Sequence, residues 1–234
     1  MEVNMSEADM ILVFQNVTGK KRRFYLKNIS MKLEPGYIYG LIGENGAGKT
    51  TLMKYILNEN CKYEGNIYVG GIDIRGNHAK VMNKIGYVSE DNSFFEEGTG
   101  EQNARMLGML YDDFCMERFR EVMQLMKVSV SKTYKLMSRG ERLKFQLAFA
   151  IAHSPCLYLL DEVTAGMDSV FRLEFFEMLR ELIKDEKCSI LMTSHIMSEI
   201  ERKTDYVAIM ENGQLGEFME SMDIAEKMKE GRYV

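Results

Sequence analysis

The feature of this sequence that most constrains its fold is an octet made of Gly43, Glu44, Asn45, Gly46, Ala47, Gly48, Lys49 and Thr50. The octet follows an apolar run at residues 37–42 and precedes a stretch with helical character at residues 51–57. A strand, a glycine-rich loop and a helix in this order are the context that the phosphate-binding pattern GxxxxGK, followed by Ser or Thr, requires. The octet therefore predicts a site for a nucleoside triphosphate.

The chemistry of phosphate binding explains why the octet has this composition. Glycines let backbone N–H groups point inward around a phosphate, and the first turn of a helix adds the positive end of its dipole. We expect Lys49 to reach the β and γ phosphates of ATP and the Thr50 hydroxyl to bind Mg²⁺. Thr51, in the same helical turn, completes the predicted nucleotide-binding set.

A second motif, at residues 157–162, predicts the catalytic side of the site. Four apolar residues form a strand that ends in Asp161 and Glu162, and ligands of open α/β folds bind at the carboxyl ends of strands. In enzymes with a P-loop, an Asp so placed holds Mg²⁺, and an adjacent Glu can deprotonate the attacking water. We expect Asp161 to bind the metal and Glu162 to act as the base; a solvated acidic pair is the alternative interpretation.

The order of strand and helix patterns predicts the fold class. Alternating β and α segments after the octet predict an α/β fold of the P-loop NTPase type, with a mostly parallel sheet flanked by helices. Apolar β-like runs within residues 10–33 predict an antiparallel β part at the N-terminus. The helical spacing of Phe119, Val122 and Met126 within residues 99–135 predicts a helical subdomain.

Composition narrows the class of protein. The 234 residues, 46% of them hydrophobic, suit a globular protein with one substantial core. A net charge of −5 without a basic stripe gives no reason to expect a nucleic-acid partner. The basic run at residues 20–23 is either a solvated loop or an element near the nucleotide. The acidic N-terminus lacks the apolar segment of a signal peptide. No stretch is long and apolar enough to predict a membrane span. The four cysteines have no C-x-x-C spacing, which favours free thiols in a reducing cytoplasm.

A stretch upstream of Asp161 carries a resemblance to a known family. Its residues are Met137, Ser138, Arg139, Gly140 and Glu141, and a helical pattern follows them. In this place and order the stretch resembles the signature sequence of the ATP-binding cassette (ABC) family. The resemblance implies that Ser138, Arg139, Gly140 and Glu141 face the γ-phosphate of an ATP held by a second cassette. Ser and Glu three residues apart also form a capping-box pattern, which is compatible with that role.

Further motifs match the same family in the same order. Residues 164–168 resemble its D-loop, with Asp168 as the acid, and His195 resembles its switch histidine, which touches the γ-phosphate. The resemblance covers roughly residues 10–217. It implies one domain over residues 1–234, with residues 1–90 and 156–234 as a RecA-like core with its antiparallel β part. Residues 91–155 would form the helical subdomain with the signature.

Several positions depart from the family pattern. Arg139 replaces a glycine, and Glu141 replaces a glutamine. Exporter-type members of the family often carry a basic residue where Arg139 stands, which weakly favours an exporter. Glu90 stands where most members have a glutamine, and it is a further candidate Mg²⁺ ligand. No aromatic residue occupies the position of the base-stacking ring; Phe24 and Tyr25 are interpreted as strand core, with an arginine of residues 22–23 as a possible substitute.

Taken together, the sequence predicts an ATP-hydrolysing subunit that powers a separate integral membrane permease, with a lean towards export. ATP and Mg²⁺ are the expected cofactors, and a second cassette, identical or different, is the expected partner. The subunit would lie in the cytoplasm, on the inner face of the cell membrane. The alternative is a soluble ABC ATPase that acts as an ATP-switched module in repair, translation or cofactor assembly.

Overall fold

The computed structural model describes residues 9–19, 25–57, 62–89, 94–200 and 203–224. The strands are β1 (Leu12–Gly19), β2 (Ile29–Leu33), β3 (Ile38–Ile42), β4 (Tyr63–Val69), β5 (Ile72–Asp73), β6 (Ile85–Ser89), β7 (Leu157–Asp161), β8 (Ser189–Ser194), β9 (Tyr206–Glu211), β10 (Gln214–Leu215) and β11 (Met219–Glu220). The helices are α1 (Lys49–Ile56), α2 (His78–Met82), α3 (Gly100–Gly108), α4 (Met116–Leu125), α5 (Arg139–Ala152), α6 (Ser169–Ile183) and α7 (Met197–Ile200). None of the helices in these ranges combines the length and the apolar composition that crossing a bilayer requires.

The N-terminal part is an antiparallel sheet, as the sequence predicts. Its strand order is β2-β1-β4-β5. Alternate residues of β2, namely Ile29, Met31 and Leu33, are buried, because successive side chains of a strand point to opposite faces. The pairing of β1 with β2 shifts register between Phe14 and Val17, and the pairing with β4 shifts between Gln15 and Thr18; Asn16, with a positive φ of 52°, lies within both intervals.

The second sheet is mostly parallel, which confirms the predicted fold class. Its order is β10-β9-β3-β8-β7-β6, with β11 also paired to β9. The pairs β9-β3, β3-β8, β8-β7 and β7-β6 are all parallel. The carboxyl ends of β3, β8, β7 and β6 therefore meet at one edge, and the predicted motifs follow these strands.

This sheet separates two hydrophobic cores. Along β7, Tyr158 and Leu160 pack into a first core with residues of α4, α5 and α6. Leu157 and Leu159 pack into a second core with α1 and the antiparallel sheet. Since β7 is buried on both faces, it has the continuous apolar sequence that is typical of a central parallel strand.

The helical segment is less regular than the sequence pattern suggests. Between residues 99 and 135 the chain forms α3, α4 and a short 3-10 helix at Tyr134–Leu136. A Cβ at Gly108 would overlap the ring of Phe114, so the chain turns closely at the end of α3. The first core runs without interruption from this segment to the sheet. The division at residues 91–155 stays a prediction.

The interpretation of Tyr25 as strand core is wrong. Tyr25 lies before β2 and outside any strand, and 42% of it is exposed. The position is open because only Leu26, the next residue, is turned into the second core. Phe24, the basic run at residues 20–23 and Glu90 lie outside the described residues.

Candidate functional site

The phosphate-binding octet forms the turn between β3 and α1. Gly48 is the N-cap of α1 with φ 119°, and Gly46 has φ 85°, a region that favours glycine. Gly46 is exposed, and a Cβ built on it would meet nothing within 4 Å. The same loop is attached to the rest of the site, because the N–H of Gly213 donates to the carbonyl of Ala47 at 2.9 Å.

Lys49 occupies the mouth of this loop and is 4% exposed. Its Nζ donates to the carbonyl oxygens of Gly43 at 2.7 Å and Glu44 at 3.1 Å. The same Nζ lies 3.2 Å from Oε1 of Glu162. The loop lysine and the predicted base are thus in direct contact. Thr50 and Thr51 follow in the first turn of α1, half-buried, while Glu44 and Asn45 are exposed.

Glu162 lies between two other predicted residues. Its second carboxylate oxygen is 3.6 Å from Nδ1 of His195, and each of these side chains is about one-third exposed. The backbone of Glu162 has a positive φ of 51°. This conformation is rare for a non-glycine residue and costs about 1 kcal/mol or more. The fold retains it, and it directs the carboxylate towards Lys49 and His195.

Asp161 has a buried hydrogen-bond partner to which the sequence analysis assigned no role. The Thr193 hydroxyl, on the neighbouring strand β8, donates to Oδ1 of Asp161 at 2.6 Å. It also accepts the N–H of Glu162 at 2.9 Å. Thr193 is fully buried and therefore fixes both acidic residues at once. The sequence signal for this role is a hydroxyl residue, Thr193, inside an apolar strand two positions before His195.

The residues present suit Mg²⁺ bound together with a nucleotide. No group of three or more His, Cys, Asp or Glu that could hold a metal occurs in the described part of the chain. Mg²⁺ is usually held by one or two carboxylates together with substrate phosphates, and Asp161 and Thr50 supply that kind of donor set. Ser89, paired in register with Asp161, has a buried hydroxyl without a hydrogen-bond partner among the described residues.

The signature segment begins α5 with a complete capping box. The Ser138 hydroxyl accepts the N–H of Glu141 at 3.2 Å, and the Glu141 carboxylate accepts the N–H of Ser138 at 2.7 Å. Lys132 also donates to both oxygens of Glu141. The Lys132 ammonium, and after it the Ser138 N–H, hold the pKa of Glu141 below its ordinary value. The carboxylate of Glu141 is thus engaged within its own chain.

Asp168 ends the D-loop and caps α6. Its Oδ1 accepts the N–H groups of Val170 at 3.0 Å and Phe171 at 2.9 Å. The signature segment and the D-loop line one cleft of about 910 Å³. The predicted residues therefore fall into two groups: Lys49, Asp161, Glu162 and His195 around the phosphate loop, and the signature with Asp168 around this cleft.

The chain is similar to known proteins along most of its length. The family model described as "ABC transporter" matches residues 26–165. The chain is 32% identical over 202 residues to "ABC transporter ATP-binding protein YtrB" of Bacillus subtilis (strain 168), covering 86% of this chain and 69% of that protein. It is 32% identical over 228 residues to "Bacitracin transport ATP-binding protein BcrA" of Enterococcus faecalis, covering 96% of this chain and 73% of that protein.

Solved structures have the same fold. A structure titled "Structure of ATP binding subunit of ABC transporter" superposes with a TM-score of 0.82 at 24% identity, covering 94% of this chain and 93% of that chain. The cbiO1 protein from Clostridium perfringens superposes with a TM-score of 0.80 at 22% identity, covering 96% and 94%. At these identities the likeness establishes the fold.

Proposed function

On the premise that this chain belongs to the ABC transporter family, we propose that it binds and hydrolyses MgATP to power a separate membrane permease. The observation that carries the proposal is the placement of Glu162, 3.2 Å from the loop amine of Lys49 and 3.6 Å from His195. Because Lys49 is expected to bind the γ-phosphate, a carboxylate so placed would lie beside that phosphate.

Each residue of the phosphate site has a chemical task in this proposal. The N–H groups of the loop and the Lys49 ammonium bind the phosphates. Glu162 orients a water and accepts its proton, while His195 contacts the γ-phosphate. Mg²⁺, when held by Thr50 and Asp161, neutralises charge on the β and γ phosphates. Thr193 keeps Asp161 and Glu162 in register.

A second cassette completes the site. Ser138 begins a helix whose N-terminal N–H groups and dipole favour an anion, which supports a role towards the ATP of the partner cassette. Arg139, Gly140 and Glu141 would share that interface, with Asp168 in the D-loop beside them. We expect MgATP to draw two such chains together and hydrolysis to release them.

The permease would contact the helical segment. Among the exposed apolar side chains, Met106, Met109 and Leu110 occupy the end of α3 and the turn after it, with exposures of 52%, 81% and 74%. An apolar patch of this kind on a surface helix is typical of a protein contact. Through the permease the subunit would lie on the inner face of the membrane, with outward transport as the proposed direction.

Tyr25 is the candidate for contact with the base. Its exposed ring lies on a segment that is tied to the phosphate loop: the N–H of Lys27 donates to Gly213 at 2.8 Å, and Gly213 donates to Ala47. We expect Tyr25→Ala to raise the KM for ATP and Tyr25→Phe to retain it. An unchanged KM in Tyr25→Ala would show that the ring does not contact the nucleotide.

The central test is Glu162→Gln. We expect this variant to bind ATP, to lose about 100-fold or more of its turnover, and to elute as a stable dimer with MgATP. Glu174→Gln, the same chemical change at an exposed position on α6, serves as the matched control and should hydrolyse ATP normally. Full turnover by Glu162→Gln would refute the proposed role.

Copurification separates transport from the alternative of a soluble ATP-switched module. A protein with several membrane spans should copurify with the wild-type chain, which it would contact at Met106, Met109 and Leu110. It should no longer copurify with the Met109→Glu variant. A stable soluble partner in its place would contradict the transport proposal.

A further inference from the structure

Arg139 departs from the family pattern, and its side chain lies on the D-loop of the same chain. A Cβ built on Gly166 would overlap Nη1 of Arg139, so the guanidinium packs directly against the Gly166 backbone. Gly166 has a positive φ of 70°. A glycine is therefore favoured here by the backbone conformation, and a methyl group at this position would have to displace the tip of the arginine.

The stability of α5 does not explain an arginine at this position. Arg139 is the first residue of the helix, where a positive charge opposes the helix dipole. Ser138 and Glu141 already form the capping box, and a guanidinium, which has no acceptor, cannot satisfy the remaining N–H groups of this turn. The side chain does make a contact with the backbone of Gly166.

The D-loop is attached at its other end by a separate set of contacts. Nη2 of Arg172 donates to the carbonyl of Met167 at 2.9 Å, and Asp168 caps α6. These bonds fix the end of the loop that joins α6. Arg139 reaches the loop from the first turn of α5, and both line the same cleft.

We propose that Arg139 is a positioning residue that holds the D-loop against the signature helix, so that Ser138 and Asp168 meet a partner cassette as one surface. Its consequence for ATP turnover rests on the proposed function. The contact itself belongs to the single chain and needs no nucleotide. An arginine that instead binds the partner's triphosphate is the competing possibility, and the experiments below distinguish the two.

The first experiment measures hydrogen exchange of D-loop amides in the full chain without nucleotide. Arg139→Ala should speed exchange at residues 165–167 by about fivefold to tenfold, and Arg139→Lys should restore part of the protection. Exchange that is unchanged in Arg139→Ala would overturn the proposal.

A second comparison uses glycine variants with a matched control. Gly166→Ala should also speed exchange, because its methyl group displaces Arg139. Gly76→Ala has nearly the same backbone strain, with φ 77°, but its Cβ would meet nothing within 4 Å. The drop in melting temperature should therefore be larger for Gly166→Ala than for Gly76→Ala, and Arg139→Ala should remove part of the excess. Purely additive effects of the two changes would count against the contact.

The third experiment measures turnover. If Arg139 positions the D-loop, Arg139→Ala lowers kcat and MgATP-dependent dimer formation while the ATP affinity of the single chain stays unchanged, and Arg139→Lys partly rescues kcat. A raised KM with unchanged D-loop exchange would assign the arginine to the triphosphate and overturn the proposal. Wild-type protein without ATPase activity would refute the proposed function alone, because the exchange measurement does not depend on ATP.

Discussion

Replacing Thr193 by valine should destabilise the protein and disable the site together. Valine has nearly the shape of threonine, so the change removes the hydroxyl and leaves little cavity. Two bonds are lost: the 2.6 Å bond to the Asp161 carboxylate and the 2.9 Å bond from the Glu162 N–H. A bond to a charged group contributes about 1.5–3 kcal/mol and a neutral one about 1 kcal/mol, so we expect a loss of about 3 kcal/mol in the free energy of unfolding.

Ser189→Ala is the matched control for this prediction. Ser189 begins the same strand and is equally buried. Its hydroxyl donates to the carbonyl of Glu34 at 2.6 Å and accepts a long bond of 3.4 Å from the N–H of Tyr37. It lies at the end of β8 away from the phosphate loop, and its acceptor is neutral. We expect a loss of about 1 kcal/mol with normal ATP turnover.

Urea unfolding and thermal melting measure the difference between these variants. For a chain of this size each kcal/mol lowers the melting temperature by about 2–4 °C, so Thr193→Val should melt about 6–12 °C lower and Ser189→Ala about 2–4 °C lower. Because a small displacement of catalytic groups can cost about 100-fold in rate, Thr193→Val should also lose most of its kcat. If Thr193→Val is no less stable than Ser189→Ala and turns over ATP normally, the bridging role of Thr193 is wrong.

Two further variants test the loop and the helical segment. Gly43→Ala should lower the melting temperature more than Gly76→Ala and weaken ATP binding, because its Cβ would overlap the carbonyl oxygen of Met210; equal melting of the two variants would contradict this. Glu101→Gln tests an ion pair between α3 and α4. Arg120, and to a smaller extent Arg105, lower the pKa of Glu101 from 4.5 to about 2. This folded-state pKa lies below the unfolded value, so the pair stabilises the fold above about pH 4.5 and loses its contribution as the pH falls towards 2. The melting temperatures of wild type and Glu101→Gln should therefore converge over that range, and a gap that persists at pH 2 would refute the assignment.

Local sequence signals were sufficient for the parts of the molecule that depend on neighbours along the chain. The strand before Gly43, the helix after Gly48 and the buried strand ending in Asp161 are each defined by a run of apolar residues and its boundaries. Their order then determines which strand ends meet, since parallel strands present their carboxyl ends at one edge. The fold class follows from this order, and so does the proximity of Lys49 to Glu162.

Contacts between distant segments were beyond the reach of the sequence pattern. The sequence pattern assigns no role to Thr193, because Asp161 becomes its neighbour only when β7 and β8 pair. The packing of Arg139 on Gly166 likewise depends on how α5 and the D-loop meet across the cleft. Tyr25 was assigned to the core because its neighbours are apolar, whereas burial depends on which way the chain turns before β2.

The separation of the two cores by the central sheet has a consequence for how such a subunit evolves. Leu159 and Leu160 are encoded by adjacent codons. Leu159 packs with the helix that follows the phosphate loop, whereas Leu160 packs with the helices that begin at the signature and the D-loop. Selection can therefore adjust the surface offered to new partners by substitutions on one side of the sheet. The residues that support the ATP site pack on the other side of the sheet and can stay unchanged.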